Sequence, residues 1–210
     1  MHNQSNETFT LLSEVRDGDL AAFGKLFDRY RQRLKQMIRL RLDRRLFGRI
    51  DEDDILQEAF LEAFSKLSQY LEKTDFPPYL WLRLIVGEKM TDLHRHHLGV
   101  QMRDAEREVS IYRGPMPAAS SVALAAQLMG NITSPSRAAL RAESRLQIQE
   151  ALNMMDPMDR EVLTLRHFEQ LSNSEAAQVL DITQQAASNR YVRALKRMKE
   201  ILTGIRGDDN

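Results

Sequence analysis

The side chains with the clearest chemical potential lie near the C-terminus. Gln184, Gln185, Ser188, Asn189, Val192, Arg193, Lys196 and Arg197 fall on one side of a helical wheel, and Ala187, Tyr191, Leu195 and Met198 fall on the other. Amides and a hydroxyl near the start of such a helix can exchange hydrogen bonds with base edges, while Arg and Lys farther along can hold phosphates. This pattern alone also fits an ordinary solvated helix whose cations suit the negative end of its dipole. The run His94-Arg95-His96-His97 raises the question of a metal. His94 and His97 share a helix face, but the chain has no cysteine and no third ligand lines up with them, so the run reads as the polar end of a helix. There is no Gly-rich phosphate loop and no catalytic constellation, so neither an enzyme nor a bound cofactor is expected.

These groups must be positioned by helices. Leu and Ala far outnumber Val and Ile, and no long apolar/polar alternation occurs, which predicts an all-α fold. From Leu20, the residues Phe23, Leu26, Phe27, Tyr30, Leu34, Met37 and Ile38 recur at helical spacing, with Asp17-Gly18-Asp19 as turn and cap. A second helix is predicted from Asp51 through Ile55, Ala59, Phe60 and Phe64, its first turn rich in acids that suit a helix N-terminus. A third follows Phe76-Pro77-Pro78 and runs through Trp81, Ile85 and Leu93 to His97. Residues 99–135 carry Gly, Pro and Ser punctuation and read as a flexible linker, with room for a short helix around Val122 to Met129. A span this long inside one compact body would be unusual, so two small helical domains are expected. Beyond it, Asp156-Pro157 and Ser172-Asn173-Ser174-Glu175 mark helix starts, the latter with capping-box spacing, and Thr183 can cap the last helix.

The 210 residues hold 30 Lys and Arg against 30 Asp and Glu. The zero sum hides blocks. Nine bases and one acid lie between Arg29 and Arg49, and six acids and no base between Asp51 and Glu62. The last helix, Thr183 to Arg206, holds six bases and one acid and is locally cationic. A cationic second helix after a short turn is the pattern of a helix-turn-helix reader. The opening residues lack a secretory pattern, and Arg83 interrupts the run from Leu80 to Val86, so a cytoplasmic protein without membrane insertion is expected.

The order of motifs resembles bacterial RNA polymerase sigma factors of the extracytoplasmic-function class. Asp156-Pro157-Met158-Asp159-Arg160-Glu161-Val162-Leu163, Leu171-Ser172, Glu175-Ala176-Ala177, Ala187-Ser188-Asn189-Arg190 and Arg193-Ala194-Leu195-Lys196-Arg197 resemble region 4 of that class. Asp17 to Phe23 with Tyr30, Asp53 to Phe60, and Trp81-Leu82 with Asp92-Leu93 and Arg95 resemble regions 2.1, 2.2 and 2.3. The resemblance implies a disordered N-terminus over 1–10, region 2 over 11–98, the linker over 99–135, region 4 over 136–206 and a tail over 207–210. It implies an alternative sigma factor that binds core RNA polymerase, at the clamp helices and flap of its two large subunits, and directs it to specific promoters for transcription initiation. An anti-sigma factor is a further candidate partner.

Carried over by residue, the resemblance implies a polymerase-binding side made of Asp54, Gln57, Glu58 and Glu62. Asp54, Glu58 and Glu62 form one stripe of carboxylates four residues apart, which alone fits a solvated acidic face and, with the resemblance, an Arg-rich partner; the basic stretch from Arg29 to Arg49 and the basic last helix are then expected to serve DNA. For the −35 element it implies Ser188, Asn189, Val192 and Arg193 as base contacts, with Gln184 and Gln185 able to read adenine and Arg190, Lys196 and Arg197 at phosphates or in packing. For the −10 element, stacking and cationic groups are available in Tyr70, Phe76, Tyr79, Lys89 and Arg95, whereas Trp81 falls in the apolar line and is expected in the core. Glu88 stands where an amide commonly helps to hold the flipped base, and Asp181 replaces a frequent turn glycine. The competing readings are a two-domain helix-turn-helix transcription regulator and an anti-sigma-like adaptor without initiation activity.

Overall fold

The computed structural model describes residues 2–46, 48–72, 76–98, 116–130 and 138–208. All regular structure among them is helical: α1 His2–Arg16, α2 Leu20–Arg41, α3 Glu52–Ser65, α4 Leu67–Leu71, α5 Pro78–Leu98, α6 Ser121–Gly130, α7 Ala138–Met154, α8 Pro157–Leu163, α9 Asn173–Leu180 and α10 Gln184–Asp208. Among these residues no helix is long and apolar enough to cross a membrane.

Local chemistry sets most helix starts. Gly18, at φ +97°, turns the chain between α1 and α2, and the Asp19 carboxylate accepts from the Ala21 and Ala22 amides at 2.9 and 3.3 Å. Asp51 caps α3 through the Asp53 amide at 2.9 Å, and Asp156 caps α8 through the Met158 amide at 2.8 Å, with Pro157 at the first helical position. At α9 the capping box is complete: the Glu175 amide donates to Ser172 Oγ at 3.2 Å and the Ser172 amide to the Glu175 carboxylate at 2.7 Å. Ser172→Ala is expected to cost about 1 kcal/mol in unfolding free energy, read from a denaturant melt. Asp181 ends α9 in the left-handed region, at φ 55° and ψ 49°, a conformation Asp tolerates better than most residues.

The N-terminal helices pack around an aromatic centre. Phe23, fully buried, lies 5.4 Å from Phe60, 6.0 Å from Phe64 and 6.2 Å from Trp81 between ring centroids. Contacts of this kind add to the area-based stabilisation of the cluster. In the C-terminal half α10 packs on α7, α8 and α9. Between α8 and the loop before α9 the chain widens into a π-helical turn over Thr164–Phe168.

Two parts of the sequence behave differently from expectation. The opening residues, expected to be disordered, belong to α1 from His2 onward, and α1 packs along α2 with Leu11 and Val15 buried. The short helix expected near Val122 to Met129 is present as α6, but it is packed: Leu124 and Ala125 are fully buried and the Ser120 amide donates to the Leu40 carbonyl at 2.7 Å. Residues 99–115 and 131–135 of the expected linker lie outside the described residues. The helix expected to stop at Arg206 continues to Asp208.

Candidate nucleic-acid and partner interfaces

α9, the turn at Asp181 to Thr183 and α10 form the helix-turn-helix. The Asn173 amide group donates to the Gln184 carbonyl at 2.8 Å, tying the two helix starts together, and Thr183 Oγ1 accepts from the Ala186 amide at 3.1 Å. The inward line of α10 is Ala187, Tyr191, Ala194, Met198 and Ile201. This corrects the expected line, because Leu195 is 44% exposed and Ala194 takes its place. Alternating steps of three and four keep Ala194 over the core, and the next residue is rotated about 100° away.

Gln184, Gln185, Ser188, Asn189, Val192, Arg193, Lys196 and Arg197 are all exposed on α10. Gln185 donates to the Asn189 side chain at 3.1 Å, and Arg193 Nε reaches the Asn189 carbonyl at 3.4 Å. The side of the helix that could meet a groove is therefore polar and partly ordered by its own hydrogen bonds. Arg190 is different: it reaches Asp159 of α8 at 3.0 Å, so it packs the reader against its support. Arg197 pairs with Glu200 at 3.7 Å on the surface.

The acids of α3 divide into two sets. Glu52 and Asp53 turn toward α2, where Arg39 meets Glu52 at 2.7 Å and Lys35 and Arg31 meet Asp53 at 2.7 and 3.4 Å. The hydrogen bond from Lys35 is the largest influence holding the Asp53 carboxyl below its ordinary range. Within the basic stretch expected to serve DNA, Arg31, Lys35 and Arg39 are thus engaged by α3, and Arg41 by a buried contact described below. Asp54, Gln57 and Glu58 are exposed, and Asp54 and Glu58 form no ion pair among the described residues. Beside them Leu61 is 61% exposed and Phe64 41%. Leu61 was missed in sequence, although an apolar residue four after Gln57 and three after Glu58 is a readable signal on an otherwise acidic face. Exposed apolar residues next to charges suit protein docking.

Glu62 departs from the free stripe. It is bound by Lys66 at 2.8 Å and Lys89 at 3.4 Å, and the Lys66 hydrogen bond is the main cause of its lowered pKa. Lys66 also lies 3.6 Å from Glu88. Lys89, a candidate for the −10 element, and Glu88 thus belong to one surface ion cluster.

Two of the aromatic candidates for that element are withdrawn from stacking on DNA. Tyr70 is buried, stacked on Trp81 at 4.0 Å with rings 8° apart, and its hydroxyl donates to the Phe76 carbonyl at 2.8 Å. Tyr79 is 1% exposed, with the Arg33 guanidinium 3.7 Å over its ring. Burial pushes both phenols well above their ordinary pKa. Phe76 is half-buried, and Arg95 is exposed and pairs with Asp92 at 3.7 Å. Trp81 packs in the aromatic cluster, as its place in the apolar line predicts.

His94 is buried and its Nε2 accepts from the Asp43 amide at 3.2 Å; burial, with the nearby Arg45 charge, lowers its pKa and favours the neutral ring. Among the described residues no three His, Asp or Glu side chains gather as a metal site.

A buried ionic contact joins the two halves of the chain. Arg41 of α2 meets Glu161 of α8 at 2.7 Å and, through Nε, Glu169 at 2.8 Å; Arg83 of α5 meets Glu169 at 2.8 Å and lies 3.9 Å from Glu161. Burial alone would raise the Glu169 carboxyl, but Arg41 and Arg83 hold it down at about 2. The same two carboxylates raise Arg41 against its own burial.

Comparisons with known proteins bear on these surfaces. The family model described as Sigma-70, region 4 matches residues 145–198, which cover the end of α7, α8, α9 and most of α10. The RNA polymerase sigma factor NccH of Alcaligenes xylosoxydans xylosoxydans is 28% identical over 198 residues, covering 91% of this chain and 92% of its own. The ECF RNA polymerase sigma factor SigW of Bacillus subtilis is 23% identical over 195 residues, covering 92% and 96%. The solved structure of CnrH in complex with the cytosolic domain of CnrY shares the fold at a TM-score of 0.55 and 24% identity, over 94% of this chain and 98% of that one.

Proposed function

We propose that this chain is a sigma factor of the extracytoplasmic-function class, which binds core RNA polymerase and directs it to specific promoters. The observation that carries the reading is the exposed polar face of α10, Gln184 to Arg197, set on a capped helix-turn-helix within the region that matches sigma region 4. Gln184, Gln185, Ser188, Asn189 and Arg193 read base edges of the −35 element; Lys196 and Arg197 hold its backbone. Asp54, Gln57 and Glu58, with Leu61 beside them, dock on the polymerase. At the −10 element the solvent-facing groups are Phe76, Lys89 and Arg95. The chain acts by binding, in the cytoplasm, and the phosphodiester chemistry stays in the polymerase.

Reconstitution tests this. Purified chain added to core polymerase is expected to form a stable complex and to start transcripts at a defined subset of genomic fragments, mapped by their 5′ ends. A complex that yields no promoter-specific transcript would favour an adaptor, and absence of any complex would refute both.

A further inference from the structure

We propose that Arg41, Arg83, Glu161 and Glu169 form an ionic latch that holds the N-terminal helices closed on the C-terminal ones, and that it must open before both DNA-reading surfaces engage one promoter.

The contact is built from opposite charges on opposite sides. Arg41 and Arg83 come from α2 and α5, and both are within 2% of full burial. Glu161 lies on α8 and Glu169 directly after the π-helical turn. Arg41 also donates to the Pro117 carbonyl at 2.9 Å, so the segment leading into α6 closes over the same group. Outside the quartet, Arg33 clamps the rim: its Nη2 donates to the Gln170 carbonyl at 3.2 Å while its plane covers Tyr79. Gln170 sits at φ 57°, a left-handed conformation unfavourable for Gln, so the loop that carries Glu169 is held under backbone strain.

Chemistry favours a contact that can release. Apolar surface separated into water loses its whole stabilisation, whereas buried ions regain hydration on separation, and the net stability of a buried ion pair is small. Among the described residues Nη1 and Nη2 of Arg83 have no hydrogen-bond partner, and opening exposes both to water.

Geometry requires release, on the sigma-factor reading. Elements near −35 and −10 are separated by about 25 base pairs, about 85 Å of duplex at about 3.4 Å each. A compact chain of this length has a radius of gyration of about 17 Å and is about 45 Å across, too short to reach both while closed.

The chain has no cysteine, so two can be placed cleanly. Ser68→Cys and Thr203→Cys, at exposed positions, carry spin labels, and their separation is measured by pulsed dipolar spectroscopy in the full chain without polymerase. One narrow distance, set by the closed form, is expected and should be shorter than in the opened variants. Glu161→Gln with Glu169→Gln should shift most of the population to a long, broad distance, and Arg33→Ala, which strands no buried charge, should populate it in part. Core-polymerase affinity should rise about tenfold in the double variant, the factor by which a closed fraction lowers apparent affinity. A long distance in the parent, or a short one in both variants with the helical signal intact, would overturn the latch. So would a distance change with unaltered affinity for core. Loss of core binding in every form would instead sink the sigma-factor reading, and the distances would still judge closure.

Discussion

Reversing Asp54 and Glu58 together to Lys is expected to weaken binding to core RNA polymerase by at least about 100-fold, because each change replaces attraction by like-charge repulsion at a desolvated contact. The fold should survive. Both side chains are exposed and outside the ion pairs that tie α3 to α2, so the thermal midpoint should fall only slightly, through lost helix-end electrostatics at Asp54. Reversal of Glu52 and Asp53 is the control with the opposite pattern. It breaks the contacts to Arg39, Lys35 and Arg31 and should lower stability while leaving the docking face in place. Titration of fluorescent variants into core enzyme, beside thermal melts, separates the two. Affinity within twofold of the parent would exclude this face of α3 as the docking surface.

Arg193→Ala is expected to reduce promoter binding by the polymerase complex about 10- to 100-fold, the range for loss of a good bidentate base contact. The way the loss is distributed identifies the contact. If Arg193 reads a base, discrimination at one position of the −35 element relaxes; if it holds phosphate, affinity falls across all sequences and the salt slope drops by about one. Arg190→Ala should behave otherwise, since its partner is Asp159 and its removal loosens α10 from α8. The measurement belongs in the complex with core. A chain of zero formal charge has little non-specific hold on DNA by itself.

The helices were legible because their signals are local. Asp19, Asp51, Asp156 and the Ser172 and Glu175 pair announce starts within three residues of the groups they satisfy, and Asp181 announces a turn by its own tolerance for positive φ. The polar side of α10 followed from a period of 3.6, yet the same wheel misplaced Leu195, because where the stripe meets the core is decided by the packing of α7, α8 and α9. Tyr79 illustrates a larger gap. Its type and place suit base stacking, but its surroundings include Arg33 from α2 and the carboxylate of Glu169, and no local pattern brings those together. Arg41 and Glu169 are 128 residues apart, so their pairing leaves no spacing to read. Within the basic stretch from Arg29 to Arg49, composition could count the cations but could not say which ones meet α3 and which ones meet α8.

The π-helical turn at Thr164–Phe168 makes residue count a determinant of closure. An α-helix advances about 100° per residue, so a wide turn accommodates one more position than the regular helix would. Removing a single residue there would let the turn relax to ordinary helix and rotate the exit of the chain, aiming position 169 away from Arg41 and Arg83 without altering any of the four charges. Relatives with one residue fewer in this turn could keep every ionic side chain and still rest open.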